Sequence, residues 1–212
     1  RFEDQVHALE DKLGHAPDLD SKKNVLRQIA HVWETIAKDT EKAIAIHKLV
    51  LDLDPSDKLA IDSLSAIYER EDRHDALISI LQRSIDLAPD PRGTIALREK
   101  MASMYEGKLN DPESAISAHR QILELEPTYV ASLQALERLY TGLNRWRELI
   151  EVFEKWITLA TDDDTKVKLF AKAGAVFEEH FEDRDNALIC YDNILSLDPN
   201  HLATLRNEER LL

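Results

Sequence analysis

Apolar residues recur along the chain at three- and four-residue intervals, as in Leu26, Ile29 and Trp33 and again in Leu133, Leu136, Leu139 and Tyr140. Such spacing lines one face of an α-helix, and the period-two alternation of a half-buried strand is nearly absent. Glycine occurs only five times, and the seven prolines sit mostly at the ends of periodic runs. The pattern predicts an all-α chain of short amphipathic helices punctuated by proline.

The same pattern repeats. "IAHVWETIAKDTEKAIAIHKLVLDLDP" (29–55) aligns without a gap on 101–127 and on 173–199, so Pro55, Pro127 and Pro199 are evenly spaced and mark one constant period. Between them, 56–90 aligns without a gap on 128–162. Each period therefore holds two helix pairs, a longer one running from Pro89 to Pro127 and a shorter one from Pro55 to Pro89. Residues 1–18 match the second helix of the shorter unit and 201–212 its first. The expected organisation is one solenoid: a half-repeat at 1–18, repeats near 19–55, 56–90, 91–127, 128–162 and 163–199, and a half-repeat at 200–212. The two half-repeats suggest a segment of a longer array. Asp39, Asp111 and Asp183 precede amphipathic runs, where a carboxylate accepts from the free N–H groups of a helix start. Ser56, Thr128 and Asn200 are the expected caps after the recurring prolines.

These residues resemble the tetratricopeptide repeat family, whose unit is a 34-residue helix–turn–helix. The shorter unit here has that length, and the longer one exceeds it by about one helical turn. Trp33, Tyr68, Tyr105, Tyr140 and Phe177 fill the aromatic position of the first helix. Ala43, Ala115 and Ala187 match the small residue of the second helix, and His47, His119 and Tyr191 the aromatic after it. Pro55, Pro89, Pro127 and Pro199 match the closing proline. The longer units depart from the pattern by what reads as extra turn residues, Leu77 and Leu149 replace the small alanine, and Thr161 replaces a proline. "NRWRELIEVFEKW" is similar to bacterial arrays of the family. The resemblance implies a right-handed α-solenoid of antiparallel helix pairs, in which stacked neighbours supply the core. It also implies a concave groove that binds a peptide or protein segment.

Carried over from the family, the groove positions are Arg27, His31 and Glu34; Asp62 and Glu69; Glu99, Ser103 and Glu106; Gln134 and Arg138; and Glu178. Two arginines face six acids there, which favours a basic or amphipathic partner segment.

Composition narrows the partner classes. Lysine and arginine number 27 against 41 acids, a net charge of −14. Such a balance opposes phosphate backbones and anionic lipid headgroups, so nucleic acid is not an expected partner. No apolar run reaches the roughly 20 residues that span a bilayer, and membrane insertion is not expected. A single cysteine, Cys190, excludes an internal disulfide and leaves cytoplasm and periplasm both open.

No motif supports catalysis, a cofactor or a metal. His47 lies in "IAIHKLVLDLDP", but its sister positions hold His119 and Tyr191, so the slot reads as packing, and substitution by tyrosine or phenylalanine is expected to preserve the fold. Cys190 matches Ile46 and Ala118 and reads as a small buried filler. "TDDDTK" (161–166) lacks the spaced ligands and turn glycine of a calcium loop and reads as helix capping. Trp156 matches Ser84 and Lys12, a position that does not demand burial, and is a candidate surface anchor. The expected function is a non-enzymatic protein-interaction scaffold. The alternatives are a spacer that self-associates through its terminal helices, and an array that recruits substrate for a catalytic domain outside this segment.

Overall fold

The computed structural model describes residues 2–88 and 90–211. Among the described residues there are twelve α-helices and no strand: α1 (Phe2–Gly14), α2 (Leu19–His31), α3 (Thr40–Leu53), α4 (Lys58–Arg70), α5 (His74–Asp86), α6 (Pro91–Gly107), α7 (Pro112–Leu125), α8 (Val130–Gly142), α9 (Trp146–Leu159), α10 (Asp163–His180), α11 (Arg184–Leu197) and α12 (Leu202–Leu211). A π-helical turn, Val32–Ile36, prolongs α2. Where the sequence suggested extra turn residues, the structure lengthens a helix instead: α6 and α10 run 17 and 18 residues against 13 in α4 and α8. Pro89, one of the closing prolines, lies outside the described residues.

The chain forms two compact units, Arg1–Leu109 and Asn110–Leu212. Within each, every helix packs on the next in sequence, α1 to α6 in the first and α7 to α12 in the second. An amphipathic helix buries one stripe, and a helix between two neighbours must bury two, so the core grows by stacking. The first core gathers Leu64, Ile67 and Tyr68 of α4 with Leu77 and Leu81 of α5. The second gathers Leu133, Leu136 and Tyr140 of α8 with Leu149 and Phe153 of α9. Ala43, Ala115 and Ala187 are fully buried.

Turn chemistry sets the pairing. Every connection from a first to a second helix passes through one left-handed residue, Lys38, Asp72, Asn110, Asn144 or Glu182, with φ between 50° and 59°. Lys38, Asn110 and Glu182 are one period apart, as are Asp72 and Asn144, so the turn repeats with the sequence. A side chain with a β-carbon enters this region at a steric cost, least for Asn and Asp. Helix starts are capped by carboxylates: Asp39, Asp111 and Asp183 accept from the N–H of Lys42, Ser114 and Asn186. Asp162 does the same for Thr165 inside the acidic "TDDDTK" run.

After the prolines the caps differ from the expected Ser56, Thr128 and Asn200. The turn first closes on itself, with the N–H of Asp57, Tyr129 and His201 donating to the carbonyls of Asp54, Glu126 and Asp198. Helix entry therefore moves one residue on, and Asp57 caps α4 through the Ala60 N–H.

Candidate protein-interaction site

The candidate groove residues sit on the first helix of each pair, and the structure assigns them unequal duties. Arg27 of α2 is tied to Asp57, a carboxylate 6% exposed that also caps α4. Lys23, one turn earlier on α2, lies 2.7 Å from Asp54 and 3.4 Å from Asp57. This network clamps α2 to the α3–α4 turn. The Lys23 ammonium, followed by Ser56, holds the Asp54 carboxyl down to about 2. His31, Asp62 and Ser103 are exposed, while Glu99 and Glu106 are half-buried.

Several acids of the first helices, among them the predicted groove residues Glu34, Glu69 and Glu178, carry a cation from the next first helix. In the first unit Glu34 meets Arg70 of α4 at 2.8 Å and Glu69 meets Lys100 of α6 at 2.8 Å. In the second unit Glu137 of α8 meets Lys172 of α10, and Glu178 of α10 meets Arg210 of α12, both at 2.6 Å. Glu178 also accepts from the Tyr191 hydroxyl at 3.2 Å. The predicted groove positions leave out these four cations, which stand on the adjacent helix. Their signal in the sequence is the recurrence of a cation 31 to 36 residues after each acid. An exposed pair contributes only about 0.2–1 kcal/mol. Its larger effect is to lower the negative charge offered to a partner.

A second ladder runs between second helices. Arg73 bonds Glu41 of α3, and one period later Arg145 bonds Glu113 of α7 at 2.8 Å.

In the second unit Gln134 of α8, a predicted groove residue, lines a cleft of about 500 Å³ with Trp156 and Leu159 of α9 and Lys168, Leu169 and Lys172 of α10. Trp156 is half-buried: its ring packs on the core and also lines the cleft. Val130, at the mouth, leaves 49% of its surface exposed. Arg138 is exposed on the same helix and does not line the cleft.

The first-helix aromatics grade from core to surface. Tyr68 and Tyr140 are buried, Tyr105 and Phe177 are half-buried, and Trp33 is half-buried with Phe2 edge-on at 5.7 Å and the Lys42 ammonium 3.9 Å over its ring.

His47, His119 and Tyr191 are all buried, and their surroundings explain which residue each slot holds. His119 Nδ1 lies 3.0 Å from the Ser132 hydroxyl. One period before Ser132 stands Ala60, and His47 Nδ1 is buried without a hydrogen-bond partner. Burial also lowers the His47 pKa. Opposite Tyr191 stands Gly174, where an added β-carbon would fall 2.8 Å from the tyrosine ring. The equivalents of Gly174 opposite the two histidines are Ala30 and Ala102. Ring size on the second helix is thus matched by side-chain size on the first. Cys190 beside it is buried, and desolvation raises its thiol to about 11, far from a nucleophile's range. Among the described residues no group of three His, Cys, Asp or Glu side chains is placed to hold a metal ion. No helix of these residues is long and apolar enough to cross a membrane.

A family model described as tetratricopeptide repeat matches residues 60–94 and 132–167, covering α4–α5 and α8–α9 in copies that begin one period apart. Two segments of this chain are thus tetratricopeptide repeats. The architecture is an all-α solenoid of stacked helix pairs. Among solved structures, Naa15/Naa10 bound to HypK-THB matches all of this chain over 34% of its own length, at 13% identity and a TM-score of 0.57, a likeness of fold alone. YrrB, titled a tetratricopeptide repeat protein with an unusual peptide-binding site, matches at 17% identity and a TM-score of 0.42, covering 87% of this chain and 91% of its own. A tetratricopeptide repeat protein from Parabacteroides merdae matches at 16% identity and a TM-score of 0.43, covering 89% and 72%. No curated protein sequence matches the chain.

Proposed function

We propose that this tetratricopeptide repeat chain is a non-enzymatic scaffold that holds an amphipathic protein segment on the surface of its first helices. The observation that carries this reading is the cleft around Trp156, where a half-buried aromatic ring and the exposed Val130 offer an apolar seat beside Gln134 and Lys168. Aromatic rings in such seats contribute much of the energy of protein recognition. The acids at Glu34, Glu69 and Glu178 are already paired, which supports an amphipathic partner over a purely basic one. Screening an array of amphipathic peptides against the full chain tests the reading. Binders are expected to lose at least about tenfold affinity with Trp156→Ala, at unchanged helical content. Equal affinity for the variant would remove the cleft from the site.

A second reading, self-association through α12, rests on a different observation. Leu202 and Leu205 are 69% and 39% exposed, whereas Ile61 and Leu133, the equivalents of Leu205, are buried. Sedimentation should then show mass rising with concentration, and Leu202→Glu should abolish the rise. A constant monomer mass at high concentration would sink it.

A further inference from the structure

The equivalent slots of the second helices hold His47, His119 and Tyr191, all buried, but they do not share a chemistry. His119 has the Ser132 hydroxyl 3.0 Å from its Nδ1. A hydroxyl donates to a neutral ring nitrogen or accepts from a protonated one, so this contact serves both forms. The Tyr191 hydroxyl donates to Glu178, and burial raises it to about 12, so that slot does not titrate near neutrality. His47 has neither arrangement. It is 5% exposed, its Nδ1 meets no hydrogen-bond partner, and Ala60 stands where the second unit has Ser132.

The charges around His47 are already matched. Facing the ring from the elements packed on α3 are Arg27 of α2, Glu34 of the π-helical turn and Asp57 at the start of α4. Asp57 is held by Arg27, lies 3.4 Å from Lys23 and accepts from the Ala60 N–H at 3.0 Å. Glu34 is held by Arg70 at 2.8 Å, and Lys23 lies 2.7 Å from Asp54. Lys23, Arg27 and Arg70 thus balance Asp54, Asp57 and Glu34; Asp20 and Glu71, which also touch Lys23 and Arg70, are exposed. A proton on His47 therefore adds an unmatched positive charge to the packing, and an Nδ1–H with no acceptor. Both are costly out of water. Desolvation accordingly lowers the His47 pKa, helped by Arg27 and opposed by Glu34 and Asp57.

We propose that His47 is an acid-sensitive latch of the first unit: neutral, it lets α3 close on α2 and α4, and protonated, it favours an open packing in which the imidazolium reaches water. The sign follows from linkage. An opened histidine takes up its proton near pH 6.5, whereas the closed one resists until a lower pH, so closure loses stability as pH falls below about 6.5 and the loss levels off below the closed-state value. Two predicted groove residues, Arg27 and Glu34, face the latch, so its opening loosens the first-helix surface at that end. The second unit lacks the device, because its two slots hold His119 beside Ser132 and Tyr191 beside Glu178. The latch is independent of the Trp156 cleft, which lies in the second unit.

The test is amide hydrogen exchange of the full, 15N-labelled chain at pH 7 and pH 5, corrected for the intrinsic pH dependence of exchange. Opening of α3 and of the turns of α2 and α4 beside it should rise about tenfold at pH 5, and opening of α7 and α11 by less than about twofold. Such a change in a small open fraction leaves helicity unmoved over that range. His47→Gln, neutral at both values, should abolish the rise. Ala60→Ser, a gentler change that offers Nδ1–H an acceptor, should cut it to less than about threefold. The ring nitrogen shifts of His47 should titrate below pH 6.5 in the folded chain. An equal rise in both units, a rise that persists in both variants, or a folded His47 titrating at or above pH 6.5 would each overturn the proposal.

Discussion

At the scale of residues, the second-helix slot shows how an internal repeat records its own compensations. The tyrosine expected to be tolerated at position 47 comes, in the copy that has it, with Gly174 opposite, and the histidine copies have alanine there. His47→Tyr alone is therefore expected to destabilise by about 1–3 kcal/mol through overpacking, and His47→Tyr with Ala30→Gly to recover most of it. Urea denaturation of the two variants decides this; equal stability would show that Ala30 does not limit the slot. The unpartnered His47 imidazole gives a converse expectation. Ala60→Ser copies Ser132 and should add about 0.5–1.5 kcal/mol, if the new hydroxyl reaches Nδ1 as Ser132 reaches His119. Cys190 should resist thiol reagents at pH 8 in the folded chain and react on unfolding, since burial both shields the thiol and disfavours the thiolate.

Among elements, the left-handed turn residues are the places where sequence and backbone disagree. Asn110, Asn144 and Asp72 suit that conformation, whereas Lys38 and Glu182 have no side-chain reason to adopt it. Lys38→Gly and Glu182→Gly are each expected to stabilise by about 1 kcal/mol, less the entropy that glycine loses on folding. A fall in thermal midpoint for both would mean that the turns are held by contacts of those side chains. Removing a cap acts in the other direction: Asp111→Ala should cost about 1 kcal/mol, because the Ser114 N–H at the start of α7 loses its acceptor. Both the caps at Asp39, Asp111 and Asp183 and the turn period were legible in the sequence, because they depend on neighbours within four residues. The caps after the prolines were not. There the turn closes on a backbone bond before the helix begins, which shifts the entry by one residue.

For the molecule as a whole, acid is the informative perturbation. Asp54 is held near 2 by Lys23 and Ser56; Asp18, Asp111 and Asp162 are lowered by the backbone N–H and hydroxyl of Ser21, Ser114 and Thr165, and Asp183 by the backbone N–H and side-chain amide of Asn186. A carboxylate lowered in the folded state stabilises it fully above its unfolded value, near 3.9, and that contribution is lost as pH falls through the folded value. Helicity should therefore hold down to about pH 4 and decline between about pH 4 and 2. In Asp54→Asn, the part of the decline that belongs to the α2 clamp should vanish along with its stabilisation at neutral pH. What the sequence by itself determined is the local and the periodic: helices from apolar spacing, caps from aspartates, and a repeat whose helices stack on their neighbours as an all-α solenoid. What only the tertiary structure decided is what lies between helices distant in sequence. It showed that Arg27 serves a clamp and that acids of the first helices are matched by cations 31 to 36 residues on. The reason is physical. Spacing within a helix says which face a side chain is on, but whether its charge is spent depends on which helix the stacking places beside it.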